Sequence, residues 1–292
     1  MRGHGLDDVM PRAAEVVADV RARGDEGLLD WSERLDGERP ALRVPAGALA
    51  AARLDDDVLA AVRALAEAVA AISEAQRPGD TSVEAVPGVV SERRWLPLSS
   101  VGIYVPGGRA PYPSSLVMTA VPAQVAGVER IAVVTPRPAE VTLAVARELG
   151  IDEVYAVGGA QAIAALAFGA GDIPAVTKIC GPGNAYVAEA KNYVSTFAGG
   201  AAIDMPAGPS ELLVIADDSA DERLVAADLL GQAEHDPSAQ VLLVTTSPRI
   251  AAAVAARAEE MARALPRGTI ALAALEHARI ILVETLPEAV EI

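Results

Sequence analysis

The sequence has few of the residues that mark several large classes of protein. It contains one cysteine, Cys180, among 292 residues, so no disulfide can form within the chain, which suits a reducing compartment. Aromatic residues make up only 3% although hydrophobic residues make up 52%, so the core must be built from Ala, Val and Leu. The N-terminus has no apolar signal core, and no stretch is long and apolar enough to span a bilayer.

Positive charge is also scarce. The chain has 24 Lys and Arg against 40 Asp and Glu, which gives a formal net charge of -16 at pH 7. This excess of negative charge repels phosphate backbones and anionic lipid surfaces, so it argues against nucleic acid and membrane partners. The sequence therefore predicts a cytoplasmic, enzyme-like protein of one large or two ordinary domains.

The common nucleotide-binding motifs GxGxxG and GxxxxGK[ST] are absent. Instead, three glycine-rich turns follow short apolar runs: VPGGRAPYPSS, VGGAQAIAAL and CGPGNAYVAEAK. Glycines let a backbone approach a phosphate, and the start of the following helix favours an anion. Any one of these glycine pairs could serve only a tight turn. Three in series, accompanied by Tyr104, Gln161 and Asn184, indicate a shared ligand.

Short apolar runs alternate with helical segments from about residue 89 onward, after helices predicted at 6–23, 26–35 and 55–76. The predicted strands are residues 101–105, 131–134, 154–157, 179–180, 212–216, 241–245 and 280–284. This order predicts right-handed βαβ units and a mainly parallel sheet in an α/β fold. Such sheets bind ligands at the carboxyl ends of their strands, so the loops that follow the strands are the informative ones.

A helix predicted after residues 212–216 carries a polar stripe. It ends near Asp236-Pro237, and Asp228, Gln232 and His235 are spaced i, i+4, i+7 and share one face. The stripe could be an ordinary solvated face, or it could point Gln232 and His235 at a metal or a substrate. Imidazole suits zinc and an amide oxygen is a weaker ligand, but two ligands do not make a site, so the spacing leaves both interpretations open.

Two further polar motifs have weaker chemical meaning. Gly208-Pro209-Ser210-Glu211 lacks the second glycine of a nucleophile elbow and precedes a strand, so Ser210 is interpreted as a hydrogen-bond donor to a ligand or as a turn residue. Glu276 and His277 could perform acid–base chemistry. Their position between a helix and a strand favours a surface turn.

Taken together, these stretches resemble the histidinol dehydrogenase family from about Val17 to Val290. The specific part of the resemblance is VGIYVPGGRAPYPSSLVMTAVPAQVAG, VGGAQAIAALAFG, KICGPGNAYVAEAK, IDMPAGPSELLVIAD and ADLLGQAEHDPSAQ. Five such motifs in this order are very specific to the family.

The resemblance implies an oxidoreductase that converts L-histidinol to L-histidine through the aldehyde, with two hydride transfers to two NAD molecules, in the last step of histidine biosynthesis. It implies one zinc per site and a homodimer with sites at the subunit interface. The implied fold has two incomplete Rossmann-like parallel-sheet units. Residues 1–104 with 210–292 are expected to form a discontinuous first unit with the zinc half-site helix, and residues 105–209 an inserted second unit with the NAD-contacting loops.

The resemblance also assigns roles to individual residues. The expected NAD contacts are Tyr104, Gln161 and Asn184. Ser210 is expected to contact the substrate, and Gln232 and His235 are expected to bind zinc and to lie against the substrate. Zinc would then hold the substrate's amino and imidazole nitrogens and fix its alcohol carbon against the nicotinamide.

The sequence departs from the family pattern at its end. The family's catalytic Glu-His pair lies in an A-P-E-H-L motif beyond a segment like LVETLPEAVEI, and two further zinc ligands, an aspartate and a histidine, lie later still. All of these are expected beyond Ile292, together with a C-terminal dimerisation part. The chain alone is therefore expected to be an inactive fragment that binds zinc poorly. The alternatives are a non-catalytic nucleotide-binding remnant and a paralogue that oxidises another amino alcohol or a sulfonate diol.

Overall fold

The computed structural model describes residues 9–107, 111–205 and 211–292. The chain divides into two compact units, Met1–Pro206 and Ala207–Ile292, which we take separately. In chain order the first unit contains α1 (Val9–Arg23), α2 (Asp25–Asp36), α3 (Ala46–Ala51), α4 (Asp56–Gln76), β1 (Thr81–Val86), β2 (Val89–Arg93), β3 (Ser100–Tyr104), α5 (Pro113–Val125), β4 (Arg130–Val134), α6 (Glu140–Glu148), β5 (Glu153–Tyr155), α7 (Gly159–Phe168), β6 (Lys178–Cys180), α8 (Ala185–Ser195) and β7 (Ala202–Ile203).

Five parallel strands form the main sheet of this unit, in the order β5-β4-β3-β6-β7. Strand β3 is buried along its whole length, as expected for a central strand covered on both faces. Because successive side chains of a strand point to opposite faces, Ile103 packs into one apolar layer and Tyr104 into the other. Helices α1, α7 and α8 contribute to the Tyr104 layer, and α4, α5 and α6 to the Ile103 layer.

The strand order reverses direction at β3, because the chain moves outward through β4 and β5 and then returns to place β6 on the other side. This is the doubly wound arrangement, and it creates a crevice between the carboxyl ends of β3 and β6. The sequence prediction of a mainly parallel α/β fold is confirmed.

The second unit contains β8 (Glu211–Ala216), α9 (Glu222–Ala233), β9 (Gln240–Thr245), α10 (Pro248–Ala264), α11 (Gly268–Leu275), β10 (Arg279–Leu282) and α12 (Leu286–Glu291). Its three strands are parallel in the order β10-β9-β8, and α9, α10 and α11 contribute to its apolar core. Asp221 caps α9 by accepting a hydrogen bond from Arg223 N at 2.9 Å. Asp221 thereby satisfies one of the backbone N–H groups that a helix start leaves without an internal partner.

One sequence expectation differs from the structure. Helix α9 ends at Ala233, so His235 lies in the following turn and not on the helix face. The expected division into residues 1–104 with residues 210–292 and an inserted unit of residues 105–209 stays a prediction.

The antiparallel hairpin of β1 and β2 was not predicted. It turns through Pro87-Gly88, with Gly88 at φ +81°, and every residue of both strands is exposed. Its strands lack a clean apolar–polar alternation, since they read TSVEAV and VVSER, which is why periodicity alone missed them. The Pro-Gly dipeptide between β-branched residues was the available signal.

Candidate functional site

A cavity of about 550 Å³ lies at the carboxyl ends of the strands of the first unit. Four of the five strands contribute the residue that ends them or the loop that follows them. These residues are Tyr104 at the end of β3, Pro136 after β4, Gly159 after β5 and Asn184 after β6. This is the place where open parallel sheets bind ligands. Tyr104, Gln161 and Asn184, which the sequence singled out in three separate turns, all line this one cavity.

Tyr104 closes the end of β3 with a phenol that is almost wholly buried. Its side chain is 5% exposed, and its phenolic oxygen accepts a hydrogen bond from Gly159 N at 3.2 Å. Burial raises the pKa of this phenol, and the nearby Asp36 carboxylate adds to the rise, while the bond from Gly159 opposes it. The group therefore stays neutral at pH 7 and keeps an O–H that can donate to a ligand.

Gln161, near the start of α7, is fully buried, and only one of the two polar atoms of its side chain has a hydrogen-bond partner among the described residues. Its Nε2 donates to Asp36 Oδ2 at 3.2 Å, while its Oε1 has no hydrogen-bond partner among the residues that the structure describes. A buried acceptor without a partner costs free energy, so it gains from any donor that a ligand brings. Gln161 Oε1 is thus an acceptor available for a ligand.

Asp36 brings the end of α2 to the same cavity. Burial raises the pKa of its carboxyl group, and Glu38 raises it further, whereas the positive charge of Arg137 and the hydrogen bond from Gln161 lower it. The carboxylate is desolvated but still has a cation nearby. It fixes the direction in which the Gln161 amide points, because it accepts from the amide nitrogen.

Gly159 lets the start of α7 pass close to the Gln161 side chain. Its φ is +67°, a left-handed conformation that favours glycine. A Cβ added at this position would lie 2.4 Å from Gln161 Oε1. Gly159, the second glycine of VGGAQAIAAL, therefore allows the left-handed turn and leaves room for the side-chain amide of Gln161.

Asn184 caps the first turn of α8. Its Oδ1 accepts a hydrogen bond from Val187 N at 3.1 Å, and its side chain is exposed at the cavity. Because the cap uses the oxygen, the side-chain nitrogen is the atom that can donate to a ligand. The N-terminus of α8 starts beside it and favours negative charge.

The charged residues of the cavity were missed by the sequence analysis. Arg12 and Glu15 come from α1, Asp36 from α2 and Arg137 from the loop after β4. Arg137 also has a φ of +47°, an uncommon conformation for a residue with a side chain. Such outliers concentrate at ligand sites. The available signal was position, because Arg137 follows a predicted strand in the same way as the glycine turns.

In the second unit, Gln232 and His235 lie at the end of α9. Gln232 is in the last helical turn, and its Nε2 is buried without a hydrogen-bond partner among the described residues. His235 N donates to the carbonyl oxygen of Gln232 at 3.1 Å, and the histidine is exposed in the turn that follows. The structure therefore brings the two predicted ligands into one turn of chain.

These residues do not by themselves fit a zinc ion. Within residues 9–107, 111–205 and 211–292, no group of three or more His, Cys, Asp or Glu side chains could hold a metal. Zinc takes about four ligands, and this turn supplies at most two. The predicted substrate contact Ser210 lies outside the described residues.

The prediction of a surface turn at Glu276 and His277 is confirmed. Both residues are exposed, and their backbone N–H groups donate to Ala273 and Ala274 at the end of α11. The two side chains thus face solvent.

The chain is similar to known proteins over nearly all of its length. A family model described as histidinol dehydrogenase matches residues 2–292. A histidinol dehydrogenase of Photobacterium profundum is 48% identical over 283 residues, which cover 96% of this chain and 64% of that protein. One of Gluconobacter oxydans is 46% identical over 301 residues, which cover 100% of this chain and 69% of that protein. The chain thus spans about two thirds of the length of the curated relatives it matches.

A solved structure supports the same comparison. The crystal structure of histidinol dehydrogenase from Elizabethkingia anophelis superimposes with a TM-score of 0.89 at 35% sequence identity, covering 100% of this chain and 68% of that one.

Among the described residues, no helix combines the length and apolar composition that crossing a bilayer requires.

Proposed function

This chain belongs to the histidinol dehydrogenase family, and on that premise we propose that it provides the nucleotide-binding part of an enzyme that oxidises L-histidinol to L-histidine through the aldehyde, the last step of histidine biosynthesis. The observation that carries the proposal is the meeting of Tyr104, Gln161 and Asn184 in one cavity at the carboxyl ends of the sheet. We further propose that the enzyme acts as a cytoplasmic homodimer.

The residues of this cavity fit NAD. Gln161 Oε1 is a buried acceptor without a partner among the described residues, and Tyr104 and Asn184 offer an O–H and N–H donors. The start of α8 favours the negative charge of a pyrophosphate. When bound, NAD supplies the acceptor for the hydride that leaves the substrate carbon.

The chain's own residues would act by binding and orientation. Tyr104 and Gln161 are held in place by Gly159 and Asp36, so neither has to reorganise when a nucleotide enters. Fixed donors and acceptors reduce the entropy lost on binding and keep the reacting atoms aligned.

We propose no general base among residues 1–292. In the family, the Glu-His pair that performs this chemistry lies in an A-P-E-H-L motif, and these letters do not occur in the 292 residues. The chain's own Glu-His dipeptides, Glu234-His235 and Glu276-His277, lie in the turns that follow α9 and α11 and lack the flanking Ala-Pro. The proton transfers of the reaction are therefore not assigned to residues of this chain.

We propose Gln232 and His235 as two of the four ligands of a zinc ion, with Ser210 as a substrate contact. The support is the hydrogen-bonded backbone turn in which His235 N donates to the carbonyl oxygen of Gln232, so that an amide and an imidazole are carried by one turn of the chain. We derive no reaction step through zinc, because the described residues do not complete its coordination.

The test combines binding with turnover. We would measure NAD binding to the purified chain by calorimetry, and then the formation of NADH with L-histidinol and added zinc. Turnover that a chelator abolishes would mean that residues 1–292 complete the site. NAD binding without turnover, with activity restored by adding a segment that bears the A-P-E-H-L motif, is the outcome we expect. Absence of NAD binding would contradict the cofactor assignment.

A further inference from the structure

An ion pair with a buried lysine and a partly exposed aspartate lies next to the cavity without lining it. Lys191, on α8, is 4% exposed, and its Nζ pairs with the Asp204 carboxylate, which follows β7. A lysine is almost never buried unless it is paired, because removing its charge from water is costly. This pair therefore needs an explanation that the proposed nucleotide contacts do not supply.

Both members of the pair hold the same backbone residue. Lys191 Nζ donates to the carbonyl oxygen of Gly181 at 3.0 Å, and Gly181 N donates to Asp204 Oδ2 at 2.8 Å. Gly181 is the first residue after β6. The ion pair thus fixes both polar groups of the residue at which the chain leaves the strand.

Gly181 also lies tightly against the end of β3. Its φ is +113°, and a Cβ at this position would lie 2.1 Å from the carbonyl oxygen of Tyr104. The turn formed by residues 181–184 therefore packs directly against the backbone of Tyr104, whose phenol lines the cavity. Its other end is Asn184, the cap of α8 and a second lining residue.

We propose that Lys191 and Asp204 are positioning residues that hold the 181–184 turn in its nucleotide-binding conformation. Neither lines the cavity, so they act through Gly181 and, along the turn, on the place of Asn184 relative to Tyr104. The inference rests on the proposed function for the identity of the nucleotide. The geometry of the turn does not depend on that identity.

The test compares three variants of the full chain. Lys191→Met removes the ammonium group and leaves the Asp204 carboxylate and the Gly181 carbonyl without their partner. Asp204→Asn removes the charge but keeps an oxygen that can accept from Gly181 N. The control is Arg130→Met, which breaks a half-buried 2.8 Å ion pair with Glu153 at the opposite, amino-terminal ends of β4 and β5 in the same sheet.

Two quantities are measured for each variant: the Kd for NAD, and amide hydrogen exchange of residues 179–188 in the nucleotide-free protein. Lys191→Met is expected to raise the Kd by about tenfold or more and to speed exchange in this segment. Asp204→Asn is expected to do the same to a smaller extent. Arg130→Met is expected to lower the melting temperature and to change neither quantity.

The proposal is overturned if Lys191→Met and Asp204→Asn change the Kd and the local exchange no more than Arg130→Met does. Asp204→Asn, the milder variant, keeps this comparison possible if Lys191→Met does not fold. If the unaltered chain does not bind NAD but Lys191→Met still speeds exchange at residues 179–188, then the cofactor assignment is wrong. The inference that Lys191 and Asp204 keep the 181–184 turn in place is then still supported. If NAD binds and no variant weakens its binding, the cofactor assignment stands and the positioning role fails.

Discussion

The side chains of Gln161 and Asp36 meet at the cavity although they are 125 residues apart in the sequence, with Gln161 Nε2 donating to Asp36 Oδ2 at 3.2 Å. Since the nitrogen is engaged, the amide oxygen is the atom left to meet a ligand. The Asp36 carboxylate is partly desolvated in this arrangement, and burial raises the pKa of its carboxyl group. A residue of helix α2, outside the glycine-rich turns, thereby determines that the Gln161 oxygen, and not its nitrogen, is left for a ligand.

Replacing Gln161 with leucine is expected to weaken NAD binding by about tenfold. The change removes the buried acceptor, and a hydrogen bond of this kind contributes about 1 kcal/mol or somewhat more when a buried partner is left unsatisfied. Calorimetric titration measures the effect. Gln124→Leu is the matched control, because that glutamine donates to Leu149 O at 2.6 Å on an exposed surface and does not line the cavity. Equal affinities for the two variants would remove Gln161 from the nucleotide site.

Replacing Gly159 with alanine is expected to harm both stability and NAD binding. The new Cβ would meet Gln161 Oε1 at 2.4 Å and push the amide away from Asp36. Gly150→Ala is the control for the backbone, because Gly150 has a similar φ of +71° but nothing within 4 Å of its added Cβ. Left-handed strain alone should cost each variant about 1 kcal/mol in the free energy of unfolding.

The difference between these two variants isolates the contact with Gln161. Gly159→Ala should unfold at lower denaturant concentration than Gly150→Ala, and only Gly159→Ala should raise the Kd for NAD. If both variants lose the same stability and both keep the affinity of the unaltered chain, the proposed tight fit at the start of α7 is wrong.

The sequence was sufficient to predict the parts of the site that are local in the chain. Tyr104 lies at the end of a predicted strand, Gln161 and Asn184 lie after the next ones, and parallel strands bring their carboxyl ends to one edge of the sheet. Asp36 and Arg12 could not be found in this way, because they sit on amphipathic helices whose polar residues look solvated until the helices pack. The ion pair of Lys191 and Asp204 could not be predicted either, since it joins a helix to the residue after a two-residue strand that has no periodic signal.

For His235 the sequence analysis predicted a helical position that the structure does not have. Its spacing from Gln232 fits a helix face, but the helix ends at Ala233, two residues before the histidine. A proline at position 237 limits where a helix can end but does not fix its last turn. The prediction that Gln232 and His235 lie close together does not depend on the helix, because a hydrogen-bonded turn keeps them adjacent.

The stability of the first unit should depend on pH through Glu153. Its carboxylate accepts hydrogen bonds from Arg130 at 2.8 to 3.0 Å, and this contact holds the pKa of Glu153 below its usual value of 4.5. An acid with a lowered pKa in the folded state contributes stability that is fully present above the unfolded pKa and is lost as the pH falls through the folded one. The free energy of unfolding should therefore decline below about pH 4.5.

Arg130→Met should remove this part of the acid dependence. We expect the variant to lose about 1 kcal/mol of the free energy of unfolding at pH 7, because the pair is half-buried and bound through two nitrogens. The loss should shrink as the pH is lowered below 4.5, which denaturant titrations at several pH values would show. A loss that stays constant from pH 7 to pH 3 would contradict the assignment to Glu153.

Cys180 should react slowly with thiol reagents in the folded chain. It ends β6, directly before Gly181, and burial raises the pKa of its thiol, with a further rise from Asp204 that Lys178 and Lys191 oppose. The thiolate is the reactive form, so less of it is present at a given pH than for a free cysteine. Alkylation by iodoacetamide at pH 8 should be slower than for free cysteine, should reach one adduct per chain, and should speed up when the chain is unfolded in denaturant. A folded-state rate equal to the unfolded one would show that the end of β6, and with it the seat of the 181–184 turn, is open to solvent.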